Sequence, residues 1–226
     1  MIPHDVPQDT TYDIHLGCDR ISSRIEQGLL DLGFRPDRFI GVTPGIVRAR
    51  HFVAHPKSAE ALKQDWDRTT QLLASASSDE FLGFCEAEYT LPTYCIPVAA
   101  GPFREEVPFP LGRVKQARCP IGMHKTFDVH IAGAREKIDP RLDRLLSEDV
   151  GFYVVDIEKP SGEVRRCYTI QLFDESQAAP LLSALHSYFN QAGGFVGKIK
   201  MEFVYAMASF PTGSPVPPVV LEGVRI

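Results

Sequence analysis

Thr11-Tyr-Asp-Ile-His-Leu16 and Thr126-Phe-Asp-Val-His-Ile131 lie 115 residues apart, and their likeness decides how the chain is read. Three positions are identical and the other three exchange one apolar residue for a close relative. Both stretches alternate apolar and polar residues, the period of a β-strand with one buried face. A second match, 114 residues apart, joins Gly83-Phe-Cys-Glu-Ala-Glu-Tyr89 to Gly197-Lys-Ile-Lys-Met-Glu-Phe203, with Gly83/Gly197 and Glu88/Glu202 identical. Two nearly equal offsets mark a tandem duplication. The expected repeats are 1–115 and 116–226, the first ending in a Pro-rich linker over 91–115.

Between the matched strands the two halves read in one order. In the first, Ile21, Ile25, Leu29 and Leu32 recur at helical spacing before Gly33, and Phe39–Val42 and Val47–Ala54 are strands around Pro44-Gly45. Ser58 caps a helix striped by Leu62, Trp66, Thr69 and Leu73, and Phe84–Leu91 closes the half. In the second, Pro140 opens a helix bearing Leu142, Leu145 and Leu146. Gly151–Glu158 and Val164–Phe173 then flank a hairpin turn at Pro160-Ser-Gly162. A helix with Leu181, Leu185 and Tyr188 stops near Gly193-Gly194, and Lys198–Ala206 is the last strand. The order βαββαβ, twice, predicts an α+β fold: two ferredoxin-like units whose two sheets share a polar face.

Strand parity then selects residues. Tyr12, Ile14 and Leu16 are expected beneath the helices, which turns Asp13 and His15 to the other face; Asp128 and His130 follow the same rule. On the last strands Glu86 and Glu88, and Lys198, Lys200 and Glu202, turn the same way. If first and last strands are neighbours, as is usual in this fold, His15 comes beside Glu88 and His130 beside Glu202. Imidazole nitrogen and carboxylate oxygen form a donor set for a first-row divalent ion, iron, manganese, zinc or nickel. The expected metal ligands are therefore His15, Glu88, His130 and Glu202, holding one ion between the two repeats. Asp13 and Asp128 are placed to orient the imidazoles or to act in catalysis. Arg165, Cys167, Thr169 and Gln171 share the strand face opposite Tyr168, Ile170 and Leu172 and are placed to line the same cavity, with Arg165 and Lys200 as the cations that would meet an acidic group.

The order His…Glu…His…Glu, one pair per module, resembles the metal site of the vicinal-oxygen-chelate metalloenzymes. The resemblance rests on four residues and implies a metal-dependent dioxygenase, isomerase or lyase acting on a small molecule. Two other readings stand beside it. One is a metal-free pocket, either a ligand-binding protein or an acid–base enzyme using His15 and His130 with Asp13 and Asp128. Within it, His124-Lys-Thr-Phe127 is similar to the H-x-T-φ string of the two-histidine phosphoesterases, although Asp9 stands at the matching place in the first half. The other is a structural face with no ligand. Arg48, Arg50, His51 and His55 read as a polar strand with solvated ends.

Composition narrows the classes. Of 226 residues, 24 are Lys or Arg and 29 Asp or Glu, a net charge of −5 that gives no electrostatic reason to bind nucleic acid. The longest uncharged stretch, Tyr205–Leu221, contains Pro211, Pro215, Pro217 and Pro218, which exclude a spanning helix. Cys18, Cys85, Cys95, Cys119 and Cys167 are odd in number and scattered, and the amino-terminal residues lack a signal-peptide pattern. A cytoplasmic small-molecule protein, monomer or homodimer, is expected.

Overall fold

The computed structural model describes residues 7–42, 50–99, 101–112, 115–118, 127–159, 161–172, 175–211 and 219–222. The expected strand at Val47, Arg48, Cys119 and the His124-Lys-Thr string lie outside them. Strand β1 (Thr11–Ile21) leads to helix α1 (Ser23–Asp31), strands β2 (Arg35–Val42) and β3 (Arg50–Ala54), helix α2 (Ala59–Ala74) and strand β4 (Phe81–Thr90). Strands β5 (Cys95–Ala99), β6 (Lys115–Arg118) and β7 (Phe127–Ala134) follow, then helix α3 (Pro140–Arg144) with a π turn over Leu145–Val150. Strands β8 (Tyr153–Glu158) and β9 (Val164–Leu172), helix α4 (Ala178–Ala192), and strands β10 (Val196–Phe210) and β11 (Val219–Glu222) complete the described residues.

The expected pair of ferredoxin-like sheets is corrected by the strand order. Nine strands belong to one antiparallel sheet, β4-β1-β3-β2-β8-β9-β7-β10-β5, and β10 also pairs with β4. The chain is strand-rich, with eleven strands and four helices among the described residues. Several strands outrun their sequence pattern, β2 and β10 among them. β2 begins at Arg35 rather than Phe39, and β10 runs 15 residues, well beyond the common strand length. Unpaired backbone N–H and C=O groups along a strand edge are costly when buried, and lengthened strands satisfy them. The supposed linker contributes as well. Residues 95–99 form β5, with Pro97 facing Lys198, the edge position that tolerates a residue without an N–H.

Contacts divide the chain into two compact units: residues 1–39, 44–92 and 203–216, and residues 40–43, 93–202 and 217–226. In the first unit, Ser22 and Ser58 cap α1 and α2 by accepting from the backbone N–H groups of Ile25 and Ala61. Ile14, Leu16, Ile25, Leu29, Leu62, Cys85 and Ala87 are fully buried, the apolar parity set of β1 and β4 with the helix stripes. In the second unit, Asp139 caps α3, and Val129, Ile131, Leu142, Leu185, Phe189, Ile199 and Met201 make the matching core. The polar faces are not solvated. Asp13, Glu86, Glu88, Asp128 and Glu202 are all buried. No helix among the described residues is long and apolar enough to cross a membrane.

The helix-side face of the second unit is held by charge. Arg166 donates to both oxygens of Asp156 at 2.7 Å each and to Asp143 of α3 at 2.6 Å, and the Tyr168 hydroxyl donates to Asp143 at 2.6 Å. Removing the guanidinium leaves Asp156, 3% exposed, buried beside only Arg135 at 3.2 Å. Arg166→Ala is expected to cost about 3–5 kcal/mol in a urea melt; a loss under about 1 kcal/mol would show the network to be dispensable.

Gly83 and Gly197, the glycines shared by the repeats, have one task. A Cβ on Gly83 would overlap the Gly17 carbonyl, and one on Gly197 the Ala132 carbonyl. Each lets the last strand of its half lie against the first. Gly83→Ala and Gly197→Ala are each expected to destabilise by about 1–3 kcal/mol. That corresponds to a melting temperature lower by roughly 2–4 °C per kcal/mol in a chain of this size.

Candidate functional site

In the first unit the β1–β4 ladder opposes Asp13 to Glu88 and His15 to Glu86. His15 therefore meets Glu88 on the diagonal, Nε2 to Oε2 at 3.7 Å, rather than directly across. Ligand atoms of Asp13 and His15 lie within 4.8 Å of one another, as do those of Glu86 and Glu88. β3 adds two imidazoles that sequence reading took for solvated strand residues. Its register puts His51 beside Gly17 and brings Asp37 of β2 opposite His51. His51 Nδ1 lies 2.9 Å from Asp37 Oδ2, and His55 Nδ1 lies 2.5 Å from Asp13 Oδ1. The His51 and His15 rings are 5.3 Å apart, tilted by 34°. The signal in the sequence was the spacing of His51 and His55, which puts both on one strand face. Which face depended on the pairing with β1. Arg50 turns the other way and forms a two-pronged ion pair with Glu26 of α1.

In the second unit β7 is flanked by β9 and β10. His130 faces Thr169 in register, and its Nδ1 lies 2.9 Å from the Thr169 hydroxyl. Its Nε2 lies 2.7 Å from Glu202 Oε2 and 4.0 Å from Asp128 Oδ2. Lys200 Nζ bonds the other oxygen of Glu202, Oε1. The expected pairs His15/Glu88 and His130/Glu202 thus each come together within one unit. Lys200, expected to meet an acidic group, is engaged with Glu202. Parity places Thr169 on this face, but its bond to His130, and Tyr153 beyond it in the same row, follow only from the β8–β9–β7 register. Burial, reinforced by the Asp128 charge, raises the Tyr153 phenol well above its usual pKa.

Arg165 and Cys167 sit on β9 with the parity of Thr169. Burial pushes the Cys167 thiol up to about 11, assisted by Glu202, although the positive charges of Arg165, Lys159 and Lys198 pull it down. Cys18, Cys85, Cys95 and Cys167 are all free thiols.

The sequence matches no protein-family model and no curated protein. Among solved structures it resembles that of a suspected monooxygenase from Lactobacillus acidophilus NCFM, at 8% identity and a TM-score of 0.25. The alignment covers 95% of this chain and 99% of that one. So loose a likeness carries no argument about fold or activity.

A thiol titrating near 11 is mostly protonated at neutral pH, and only the thiolate attacks electrophiles. Cys167 is expected to react with iodoacetamide at pH 7.5 roughly two orders of magnitude more slowly than an ordinary thiol of pKa about 8.5. The rate should climb until about pH 11. Peptide mass spectrometry of time points across pH checks this, and rapid labelling at pH 7.5 contradicts it.

Proposed function

We propose that the protein is a small-molecule enzyme that holds a divalent metal ion on His130 and Glu202, with Asp128 beside them. One observation supports this most. His130 Nε2 is buried and makes no hydrogen bond, although the Glu202 carboxylate oxygen is only 2.7 Å away. An imidazole nitrogen and a carboxylate oxygen this close, off the line of a hydrogen bond, can act as two donors to one cation. That is how two ligands of one cation are disposed, since metal–ligand bonds of about 2.0–2.2 Å bring neighbouring donors near each other. The opposite ring nitrogen is tied to Thr169, the outer contact that orients a ligating histidine. Lys200 holds Glu202 by Oε1 and leaves Oε2 toward His130.

The N/O donor set suits iron, manganese, zinc or nickel. When bound, such an ion supplies Lewis acidity, polarising a substrate oxygen or lowering the pKa of a water. The chain's own residues do the rest. Thr169 fixes the imidazole, Lys200 fixes the carboxylate, and Asp128, 3% exposed, stands ready to accept a proton or a ligand's N–H. In the first unit, His15, Asp13 and Glu88 repeat the residue types at a wider His–Glu spacing of 3.7 Å.

A metal-free reading uses the same pair, with His130 moving a proton and Glu202 steadying its charged form. Elemental analysis and thermal melts separate the two. With metal, the protein is expected to retain near-stoichiometric ion. Chelator-stripped protein should gain stability on adding manganese, zinc, iron or nickel, by about 2.7 kcal/mol at a hundred times the dissociation constant. His130→Ala and Glu202→Gln should each abolish that gain. Stripped protein that ignores all four ions sinks the metal reading and leaves the acid–base one.

A further inference from the structure

Within the second unit, the face that carries His130 has a second end. Along β9 the residues on this face run Arg165, Cys167, Thr169, and along β10 they run Lys198, Lys200, Glu202. Thr169 faces His130, Cys167 faces Ala132, and Arg165 faces Ala134. On the other side of β7, Gly197 lies against Gly133 and the Ala132 carbonyl, so strand alternation sets Lys198 level with Ala132. The β7 floor therefore changes from His130 to two alanines, and a cation rises on each side of the alanines. Strands two places apart are separated by about 10 Å, a gap that long Arg and Lys side chains can close from both sides. Lys159, just before the β8–β9 turn, adds a third positive charge felt at Cys167.

Among the described residues of the first unit, the row level with Gly17 is His51, Gly17 and Phe84, with no lysine or arginine.

We infer that the substrate carries a small oxyanion, a carboxylate or a phosphate, and that Arg165 and Lys198 bind it above Ala132 and Ala134. Arg165 supplies a planar two-donor fork and Lys198 a mobile point charge, which together suit an oxyanion better than a neutral group. Four residues of strand, roughly 13 Å, separate Arg165 from Thr169, so the anionic end and the reacting end of one small molecule can be held at once. This inference rests on the proposed enzyme reading for the location of the reacting end, but not on a bound metal.

The test uses chelator-stripped protein, so that its failure and the failure of the metal reading are separate results. Succinate, inorganic phosphate and neutral succinamide are titrated by calorimetry into wild type, Arg165→Gln, Lys198→Gln and the double variant. Arg144→Gln serves as a control, removing an exposed charge paired only with Glu148 at 3.5 Å. At least one oxyanion is expected to bind and succinamide not to. Each single variant should weaken binding several-fold and the double variant at least tenfold, while Arg144→Gln and His130→Ala retain it. Binding should weaken with added sodium chloride, as screening requires. Succinate alone binding points to a carboxylate substrate, and phosphate alone to a phosphorylated one. The inference is overturned if neither oxyanion binds, if succinamide binds equally, or if the folded double variant, checked by circular dichroism, binds like wild type. Loss of binding in His130→Ala with retention in the double variant overturns it too, because the anion would then sit at the imidazole end.

Discussion

Backbone hydrogen bonding along the first strand of each half, β1 and β7, positions every side chain discussed above. In an antiparallel ladder a slip of one residue turns each side chain to the opposite face. The register that sets Asp13 against Glu88 and His130 against Thr169 therefore also keeps Ile14, Leu16, Val129 and Ile131 beneath the helices. Core burial and site assembly are two consequences of one pairing. Gly83 and Gly197 protect it, because the last strand must come close enough to the first that a Cβ would strike a carbonyl. His130 is in this sense held by apolar packing on the far side of its own strand.

Burial of carboxylates is the main electrostatic expense on the site-bearing faces. An ionised carboxylate loses several kcal/mol of hydration when taken into the interior and must find compensation. The two units find it differently. In the first, imidazoles supply it: His55 lies on Asp13, His51 on Asp37, and His15 near Glu88. In the second, a lysine enters where the first repeat carries an acid, and Lys200 bonds Glu202 directly. The same strand framework thus presents an imidazole-rich acidic face in one unit and a face with a cationic end in the other. Burial raises the Cys167 thiol despite the positive charges of Arg165, Lys159 and Lys198, because loss of solvent outweighs their attraction.

Local structure was legible in the sequence because its causes are local. Ser22, Ser58 and Asp139 cap helices by bonds to backbone groups two or three residues away, and period-two alternation on β1 and β7 separates core from site. For the same reason Asp13, His15, Glu88, Asp128, His130 and Glu202 could be picked out as one set from parity and repetition. Thr169 could be placed on the same face by parity, but its pairing with His130 could not be read, nor could His51, His55 and Asp37 be joined to the set, since their partners lie on strands whose register no sequence period records. Pro97 was read as linker because proline is rare in strands, yet an edge position without need of its N–H accepts it.

What the sequence determined by itself is the four helices and eight of the eleven strands among the described residues, and, on β1, β4, β7 and β10, which residues turn to the core and which chemistry turns to the other face. Tertiary structure decided how the strands join. One nine-stranded sheet forms where two were expected, beside a short β6–β11 pair, because β2 lies next to β8 and β10 runs far enough to pair with β4. Hydrogen bonding between backbones is blind to side-chain identity, so nothing in the residue pattern records where a strand stops pairing. The distance from His130 to Glu202 and the level of Lys198 beside Ala132 follow from that pairing, and only the folded chain sets them.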